Sequence, residues 1–349
     1  SHVPEQAYIT ALLQDLDADL AMAAGREIQT LFIGGGTPSL FSAEAISRLL
    51  AGIGDRLELA PDAEATMEAN PGSAEADKFL GFRQAGINRL SLGVQSFQDD
   101  KLGALGRVHD SKQARAAIEY ASAAGFDSFN IDLMHGLPGQ TEADAIYDLE
   151  TAISFHPPHL SWYQLTIEPN TVFNKRPPTL PVEDALADIQ DRGELLLENQ
   201  GYAQYEVSAY SRPELQCQHN LNYWSFGDYL ALGAGAHGKI TTADGSIRRY
   251  AKTRAPQDYL QGKRYTASKR VLNQGELIGE FMMFALRLNN GFSTQRFEQV
   301  TGLSADQLRP KVQSLADREL LSTDGDNIRA TPLGRRFLDS VIAEFLPND

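Results

Sequence analysis

Short apolar runs alternate with longer amphipathic stretches through the first two-thirds of the chain. The runs at 31–34, 65–68, 89–94, 128–134 and 160–165 predict five strands. Between them, 42–54, 74–85, 99–105, 111–124 and 141–155 carry apolar residues at three-to-four spacing and predict helices. Ser42 and Ser73 suit helix N-caps, Thr141 with Asp144 fits a capping box, and Gly86 and Gly125 stand where helices end. Strands alternating with helices imply an α/β fold with a parallel sheet, because each parallel crossover needs about a dozen residues or more. The chain enters this pattern through a helix over 5–24, so a first strand is expected to be missing from it.

Each predicted strand ends in glycine or polar residues: Gly34-Gly35-Gly36-Thr37, Glu68-Ala69-Asn70, Gln95, Asp132 ahead of Gly136, and Gln164 with Thr166. Ligand sites of parallel α/β folds form at that edge, where loops and helix N-termini converge. After residue 170 the rhythm changes. Pro177, Pro178 and Pro181 precede a helix near 182–200, and 203–250 reads as a mixed, loop-heavy sheet region. From Gly275 the pattern is helical, and Asp324-Gly325-Asp326 marks a turn between short strands, as in a small winged-helix unit. The expected division is 1–170, 171–272 and 273–349.

Composition narrows the class. The 349 residues are 42% hydrophobic and 22% charged, ordinary for a globular protein. Asp and Glu number 46 against 31 Lys and Arg, for a net charge of −15. That balance disfavours a general nucleic-acid binder, which needs a basic face. No apolar run reaches the length of a membrane span and no signal peptide opens the chain, so a cytoplasmic protein is expected. Residues 248–270 are the exception, with eight Lys/Arg against Asp258 alone, which leaves −22 on the remainder. This run is either a solvated face or a surface for the propionates of a tetrapyrrole. Cys217, the single cysteine, excludes a multi-thiolate metal cluster held by this chain alone.

Several residues could carry chemistry. Gly34–Pro38 is either a tight turn or a loop whose bare backbone a ligand can approach. Glu68, Gln95, Arg107 and Asp132 share the predicted rim. Carboxylates suit an amino group or a ribose diol and an arginine fork suits a carboxylate, so together they describe a pocket for an amino acid joined to a nucleoside. His219-Asn220-Leu221-Asn222-Tyr223-Trp224 packs an imidazole, two amides and two aromatics into six residues. Histidine is a common axial ligand of haem iron, and aromatic contacts suit a flat macrocycle. A structural histidine in an aromatic segment is the competing reading. Cys217 could ligate a metal or be an inert buried thiol, and His237 lies in a glycine-rich loop.

These residues resemble the radical S-adenosylmethionine (SAM) superfamily, and within it the coproporphyrinogen III oxidase-like branch. The resemblance rests on Gly-Gly-Gly-Thr-Pro at 34–38, Met-Glu-Ala-Asn-Pro at 67–71, Leu-Gly-Val-Gln-Ser-Phe at 92–97 and Asp-Leu-Met-His-Gly-Leu-Pro-Gly-Gln at 132–140. It spans essentially the whole chain. His-Asn-x-x-Tyr-Trp at 219–224, with the segment 161–171, is similar to the haem-chaperone group of that branch rather than to its true oxidases. The resemblance implies a partial (β/α)6 barrel, closed over its mouth by a C-terminal α+β region. It implies SAM contacts at Gly35, Gly36, Thr37, Glu68, Gln95, Arg107, Asp132 and Thr166, and haem contacts at His219, Asn220, Tyr223 and Trp224.

The family also carries three cysteines spaced Cys-x3-Cys-x2-Cys after a first strand, which ligate a four-iron four-sulfur cluster. None is present here, so the cluster loop, like the first strand, is expected to be absent from this chain, and no metal ligand is assigned within it. The implied function is a haem chaperone that delivers haem to respiratory haemoproteins, with SAM and the cluster as cofactors of the full-length protein. It would reach the inner membrane only at its periphery or through a partner. The alternative is an oxygen-independent coproporphyrinogen III oxidase, an enzyme that decarboxylates tetrapyrrole propionates. The SAM motifs do not separate the two; 219–224 favours the chaperone, without oxidase activity.

Overall fold

The computed structural model describes residues 4–347. Helix α1 (Glu5–Ala23) leads into β1 (Ile28–Ile33), α2 (Ala43–Gly54), β2 (Leu59–Ala69), α3 (Ala76–Ala85) and β3 (Arg89–Gln95). Helices α4 (Asp99–Ala104) and α5 (Ser111–Ala123) then precede β4 (Ser128–His135), α6 (Glu142–Ser154) and β5 (His159–Gln164). The capping chemistry is largely as expected. Ser42 accepts from the Ala45 amide, Thr141 and Asp144 close a capping box, and Gly86 ends α3 in the left-handed region. Ser73 is a correction. It closes a 3-10 turn begun by Pro71, and Glu75 takes the N-cap position of α3 without a side-chain hydrogen bond.

The five strands run parallel in the order β1-β2-β3-β4-β5. After α7 (Val172–Lys175) and α8 (Glu183–Asn199), the hairpin β6 (Ala203–Glu206) and β7 (Ala209–Ser211) extends the sheet, with β7 antiparallel to β5 and β6 outermost. The result is an open half-barrel with β1 and β6 at its edges, the partial-barrel class expected from the sequence. Strand β2 is longer than its apolar run. Its first half pairs with β1 through a register shift, Ile28 facing Leu59 but Thr30 facing Glu64, and this stretch holds Pro61 and Asp62.

Outward-facing Leu90, Leu92, Ile131, Leu133, Leu160 and Trp162 are buried beneath the helices. Each such side chain contributes roughly 1.5–3 kcal/mol of burial. Helix α8 closes onto Trp162 only because residue 193 is glycine; a Cβ there would stand 2.0 Å from the indole ring.

Helix α9 (Gln218–Trp224) follows, then β8 (His237–Thr241), β9 (Ile247–Lys252), α10 (Pro256–Leu260) and β10 (Thr266–Val271). Strands β8–β10 form a separate antiparallel sheet that meets α1. The basic run falls on this sheet, and part of it is neither a solvated face nor available to propionates. The Lys252 ammonium is fully buried between Asp15 and Asp19 of α1 and the mostly buried Arg249 pairs with Glu280, whereas Arg270 pairs with Glu276 on the solvated side. The last elements are α11 (Gln274–Ala285), β11 (Phe292–Ser293), α12 (Thr294–Thr301), α13 (Arg309–Asp317), β12 (Leu321–Asp324), β13 (Asn327–Ala330), α14 (Pro332–Arg336) and α15 (Leu338–Ala343). Helix-strand-helix-helix-strand-strand, with sheet order β11-β13-β12, is a winged-helix arrangement around Phe281, Phe292 and Phe297. No helix of the described residues is long and apolar enough to cross a membrane.

Candidate functional site

Alternation along the strands turns one face of the sheet to the helices and the other to the hollow of the half-barrel. The hollow side is polar: Glu64 and Glu68 from β2, Arg89, Ser91 and Gln95 from β3, Asn130 and Asp132 from β4, and His159, Ser161 and Tyr163 from β5. A continuous hydrogen-bonded network joins many of them across strands.

At the rim, Gly35 and Gly36 adopt left-handed backbones, with φ of 80° and 64°, and the Gly35 amide donates to Glu68 Oε2 at 3.0 Å. A Cβ on Gly34 would press against the Phe32 ring at 2.8 Å and the Glu68 carboxyl at 2.9 Å. Only a bare backbone leaves this cradle open. Thr37 supplies the carbonyl that accepts from Leu40 N as the loop turns into a 3-10 turn. Gln95 also has a left-handed backbone, φ 70°, and its Oε1 accepts from the Tyr163 hydroxyl at 2.7 Å. Burial pushes the Tyr163 phenol up to about 12, with the Asp132 charge adding to the effect and Arg107 opposing it.

One layer deeper, Asp132 accepts from Asn130 Nδ2 at 2.7 Å and from Ser91 Oγ at 3.2 Å. Burial raises its carboxyl above the usual range, hydrogen bonds from Asn130, Ser161 and Ser91 oppose that, and the Glu68 charge reinforces it. Arg107 is exposed and makes no ion pair among the described residues. Thr166 is exposed beyond β5, its hydroxyl directed to the Gln164 carbonyl at 3.5 Å. Glu68, Asp132 and Arg107 carry a net −1. SAM carries an ammonium, a sulfonium and a carboxylate, net +1, so the charges and the glycine cradle fit that ligand.

The floor is formed by α9. Glu64 Oε1 accepts from Cys217 Sγ at 3.3 Å and the His219 amide at 3.0 Å, while Oε2 accepts from the Gln218 amide at 3.0 Å. A carboxylate at a helix N-terminus satisfies otherwise orphaned donors. His219 stacks on Phe32 with 4.8 Å between ring centroids, and its Nδ1 lies 3.0 Å from Thr30 Oγ1. Its Nε2 makes no hydrogen bond with a described residue. Burial lowers the His219 pKa, with Glu64 opposing and Arg89 assisting, which favours the neutral ring. Asn220 donates to the Tyr205 hydroxyl at 3.4 Å, whereas Tyr223 and Trp224 pack on Phe284 of the C-terminal unit. The six-residue motif therefore bridges half-barrel and winged helix rather than gathering at one point.

A cavity of about 1340 Å³ lies along β1, lined by Leu12, Leu31, Phe32, Leu49, His219 and Arg296 among others. Cys217 is buried and its thiol is pushed up to about 11, mainly by burial. No group of three or more His, Cys, Asp or Glu among the described residues could hold a metal ion. These residues thus fit SAM but do not fit an iron–sulfur cluster.

The rim residues were named from sequence. Glu64, Arg89, Asn130 and Tyr163 were not, although polar residues at every second position of β2, β3, β4 and β5 were the available signal.

Residues 7–152 match the model of the radical SAM superfamily, and 272–337 match that of the HemN C-terminal domain. The chain is 52% identical to the heme chaperone HemW of Escherichia coli (strain K12), over 99% of this chain and 91% of that protein. It is 35% identical to heme chaperone HemW of Bacillus subtilis (strain 168), over 98% of this chain and 92% of that protein. Among solved structures, the E. coli coproporphyrinogen III oxidase HemN, a radical SAM enzyme, is similar at a TM-score of 0.81 and 25% identity, over 98% of this chain and 83% of that one. The chain belongs to the HemW family of radical SAM proteins.

Proposed function

We propose that this chain binds haem and passes it to respiratory haemoproteins, with SAM held at the rim of the half-barrel. The observation that carries the haem reading is His219: a neutral ring, tied through Nδ1 to Thr30, lining a large and mainly apolar cavity. Histidines that ligate metals commonly have one ring nitrogen fixed in this way, leaving the other for the metal. Asn220 supports α9 from the half-barrel, and Tyr223 and Trp224 support it from the winged helix. Soret titration of haemin tests the reading. One-to-one binding with a ligand-type spectrum is expected, and His219→Ala should weaken it about tenfold or more; unchanged affinity and spectrum would remove His219 from the site.

SAM, when bound, supplies a sulfonium-activated adenosyl group. The chain's own residues bind and orient it. Glu68 and the Gly35–Gly36 backbone suit its ammonium group, Arg107 its carboxylate and Asp132 its ribose, with Gln95, Thr37 and Thr166 at the periphery. A bound cation would also relieve the repulsion between Glu68 and Asp132. A charge-assisted hydrogen bond contributes about 1.5–3 kcal/mol. Asp132→Ala should therefore weaken SAM binding to the cluster-loaded, full-length protein by about 10- to 100-fold; equal affinity in calorimetry would take Asp132 out of the site.

The cluster would be held by a segment outside the described residues, so no step is routed through it. Divisions near 170 and 272 follow from this reading, which puts SAM contacts in the first part, the haem motif in the second and the covering unit in the third. Membrane contact, in the same reading, is peripheral and made through the haem acceptor. The oxidase alternative rests on the HemN-like fold, and a decarboxylation assay on the full-length protein separates it from the carrier.

A further inference from the structure

The large cavity beside β1 runs the length of α9. Gln218, Leu221, Asn222 and Ser225 line it at i, i+3, i+4 and i+7, one face of the helix and its C-cap, and His219 lines it at the first turn. From His219 to Ser225 the helix rises by roughly 9 Å. At the Ser225 end stands Arg296 of α12, half-buried and the only Lys or Arg among the described residues that line the cavity. Its place is fixed by hydrogen bonds. The Ser293 hydroxyl accepts from the Arg296 amide at 3.1 Å, and Nε and Nη2 both donate to the Ser225 carbonyl, at 3.1 and 3.0 Å. Nη1 bonds to no described residue, and no carboxylate of those residues lies within ion-pair distance of the guanidinium. The acids on the cavity wall are committed elsewhere. Asp228 takes Lys239 on one oxygen at 2.8 Å and Arg26 on the other at 2.7 Å, and Glu27 accepts from Gln29.

A guanidinium presents five N–H donors in a planar fork. Here the edge formed by Nε and Nη2 rests on a neutral carbonyl, so the charge is uncompensated and the edge formed by Nη1 and Nη2 is free. Two parallel N–H bonds on that edge match a carboxylate, and the grip strengthens where the surroundings are apolar. The wall supplied by α1, β1 and α2, with Leu12, Leu31 and Leu49, is apolar and suits a flat macrocycle. A tetrapyrrole carries its metal at the centre and its propionates at the rim, so the two must be met by groups set apart, as His219 and Arg296 are along α9. We propose that Arg296 receives a propionate of the tetrapyrrole ligated at His219, which makes the winged helix part of the cargo site and not only its cover. This rests on the haem reading above and adds to it the residue that reads the acid side chains. The basic run 248–270 sends no Lys or Arg to the cavity wall, so that role passes from it to Arg296.

The test compares haemin with its dimethyl ester in Soret titrations of the full-length protein, Arg296→Gln and Arg296→Lys. The wild type should prefer the acid about 10- to 100-fold, the effect of one charge-assisted fork. Arg296→Gln, whose amide can still donate to Ser225, should lose that preference while binding the ester as the wild type does. Arg296→Lys, which keeps the charge but not the fork, should fall between them. A uniform loss for acid and ester would make Arg296 a helix cap alone. That result, a preference kept in Arg296→Gln, or no preference in the wild type would each overturn the propionate assignment and leave the haem reading standing. Failure of the wild type to bind either porphyrin would overturn both.

If loss of the α9 contact unfolds Arg296→Gln, Arg296→Lys carries the comparison: its acid preference must fall while its ester affinity holds, and an unchanged preference would overturn the assignment. SAM also bears a carboxylate, so the titrations are repeated with SAM present. A preference that survives supports the propionate, and one that SAM abolishes would give Arg296 to SAM and overturn it. Inorganic phosphate is the probe for a free anion. Thermal stabilisation of the wild type but not of Arg296→Gln by millimolar phosphate, with acid and ester bound alike, would assign Arg296 to a small anion and overturn the propionate.

Discussion

Lys252→Met is expected to destabilise the folded chain by about 3–5 kcal/mol, the usual result of removing one partner from a buried ion pair. The Lys252 Nζ lies 2.5 Å from both Asp15 and Asp19, and the side chains of Lys252 and Asp15 are fully buried. Asp15 and Asp19 stand four residues apart on α1 and so present their carboxylates from one helix face. The Tyr259 hydroxyl donates to Asp15 at 2.6 Å, which completes a network joining α1, β9 and α10. Without the ammonium, two carboxylates are left close together in a dry interface, and burial already pushes the Asp19 carboxyl up. Lys252→Met combined with Asp15→Leu and Asp19→Leu should recover most of the loss, because an apolar replacement of the whole set removes the uncompensated charges. Urea denaturation measures both. A loss under about 1 kcal/mol in the single variant would show that the network contributes little to the fold.

This network also shows where the sequence was opaque. Residues 248–270 look like one basic surface because charge counts carry no information about direction. On β9, alternation separates Arg249, which reaches Glu280 of α11, from Lys252, which enters the interface with α1. The partners lie 31 and more than 230 residues away, so no local spacing announces them. Periodicity located the five parallel strands and most of their helices because each has its own apolar side. It underestimated β2, whose first half meets β1 only at Leu59 before the register shifts and carries Pro61 and Asp62 in place of an apolar run.

The rim was legible for a different reason. Glycines that must be left-handed, and carboxylates ending apolar runs, are local signals with a direct physical meaning. The floor was not, because it is assembled by a helix that arrives more than 150 residues after Glu64. His219 and Asn220 stood out by composition, yet what holds them in place, Thr30, Glu64 and Tyr205, could not be read from their neighbours in the chain. The inner polar face follows the same logic. Ser91, Asn130 and Asp132 are an alternating pattern within runs that read as mainly apolar, and only the curvature of the sheet turns that pattern into a binding surface.

Asp148→Ala should cost about 2–4 kcal/mol of stability and also lower SAM affinity about tenfold, although Asp148 lies on the outer helix α6. The side chain is 1% exposed, and it accepts from Ser96 Oγ at 2.7 Å and from the Phe97 amide at 2.8 Å. Both donors immediately follow Gln95, whose left-handed backbone is unusual for a residue with a side chain and costs of order 1–3 kcal/mol to maintain. Asp148 thus acts as a positioning residue: it fixes the turn that presents Gln95, and Tyr163 fixes the amide from the opposite side. Removal leaves two buried donors unsatisfied, each costing about 1–3 kcal/mol. Burial pushes the Asp148 carboxyl up to about 6, above the roughly 3.9 of an unfolded chain. The folded state therefore holds the proton more tightly, so this group adds stability as pH falls through 6, by about 3 kcal/mol once pH is below 4. Asp148→Asn cannot titrate, so the stability difference between wild type and Asp148→Asn should shift by about 2 kcal/mol between pH 7 and pH 4, in favour of the wild type. A difference that stays constant over this range in denaturant titrations would refute the raised carboxyl, and unchanged SAM affinity in Asp148→Ala would refute its hold on Gln95.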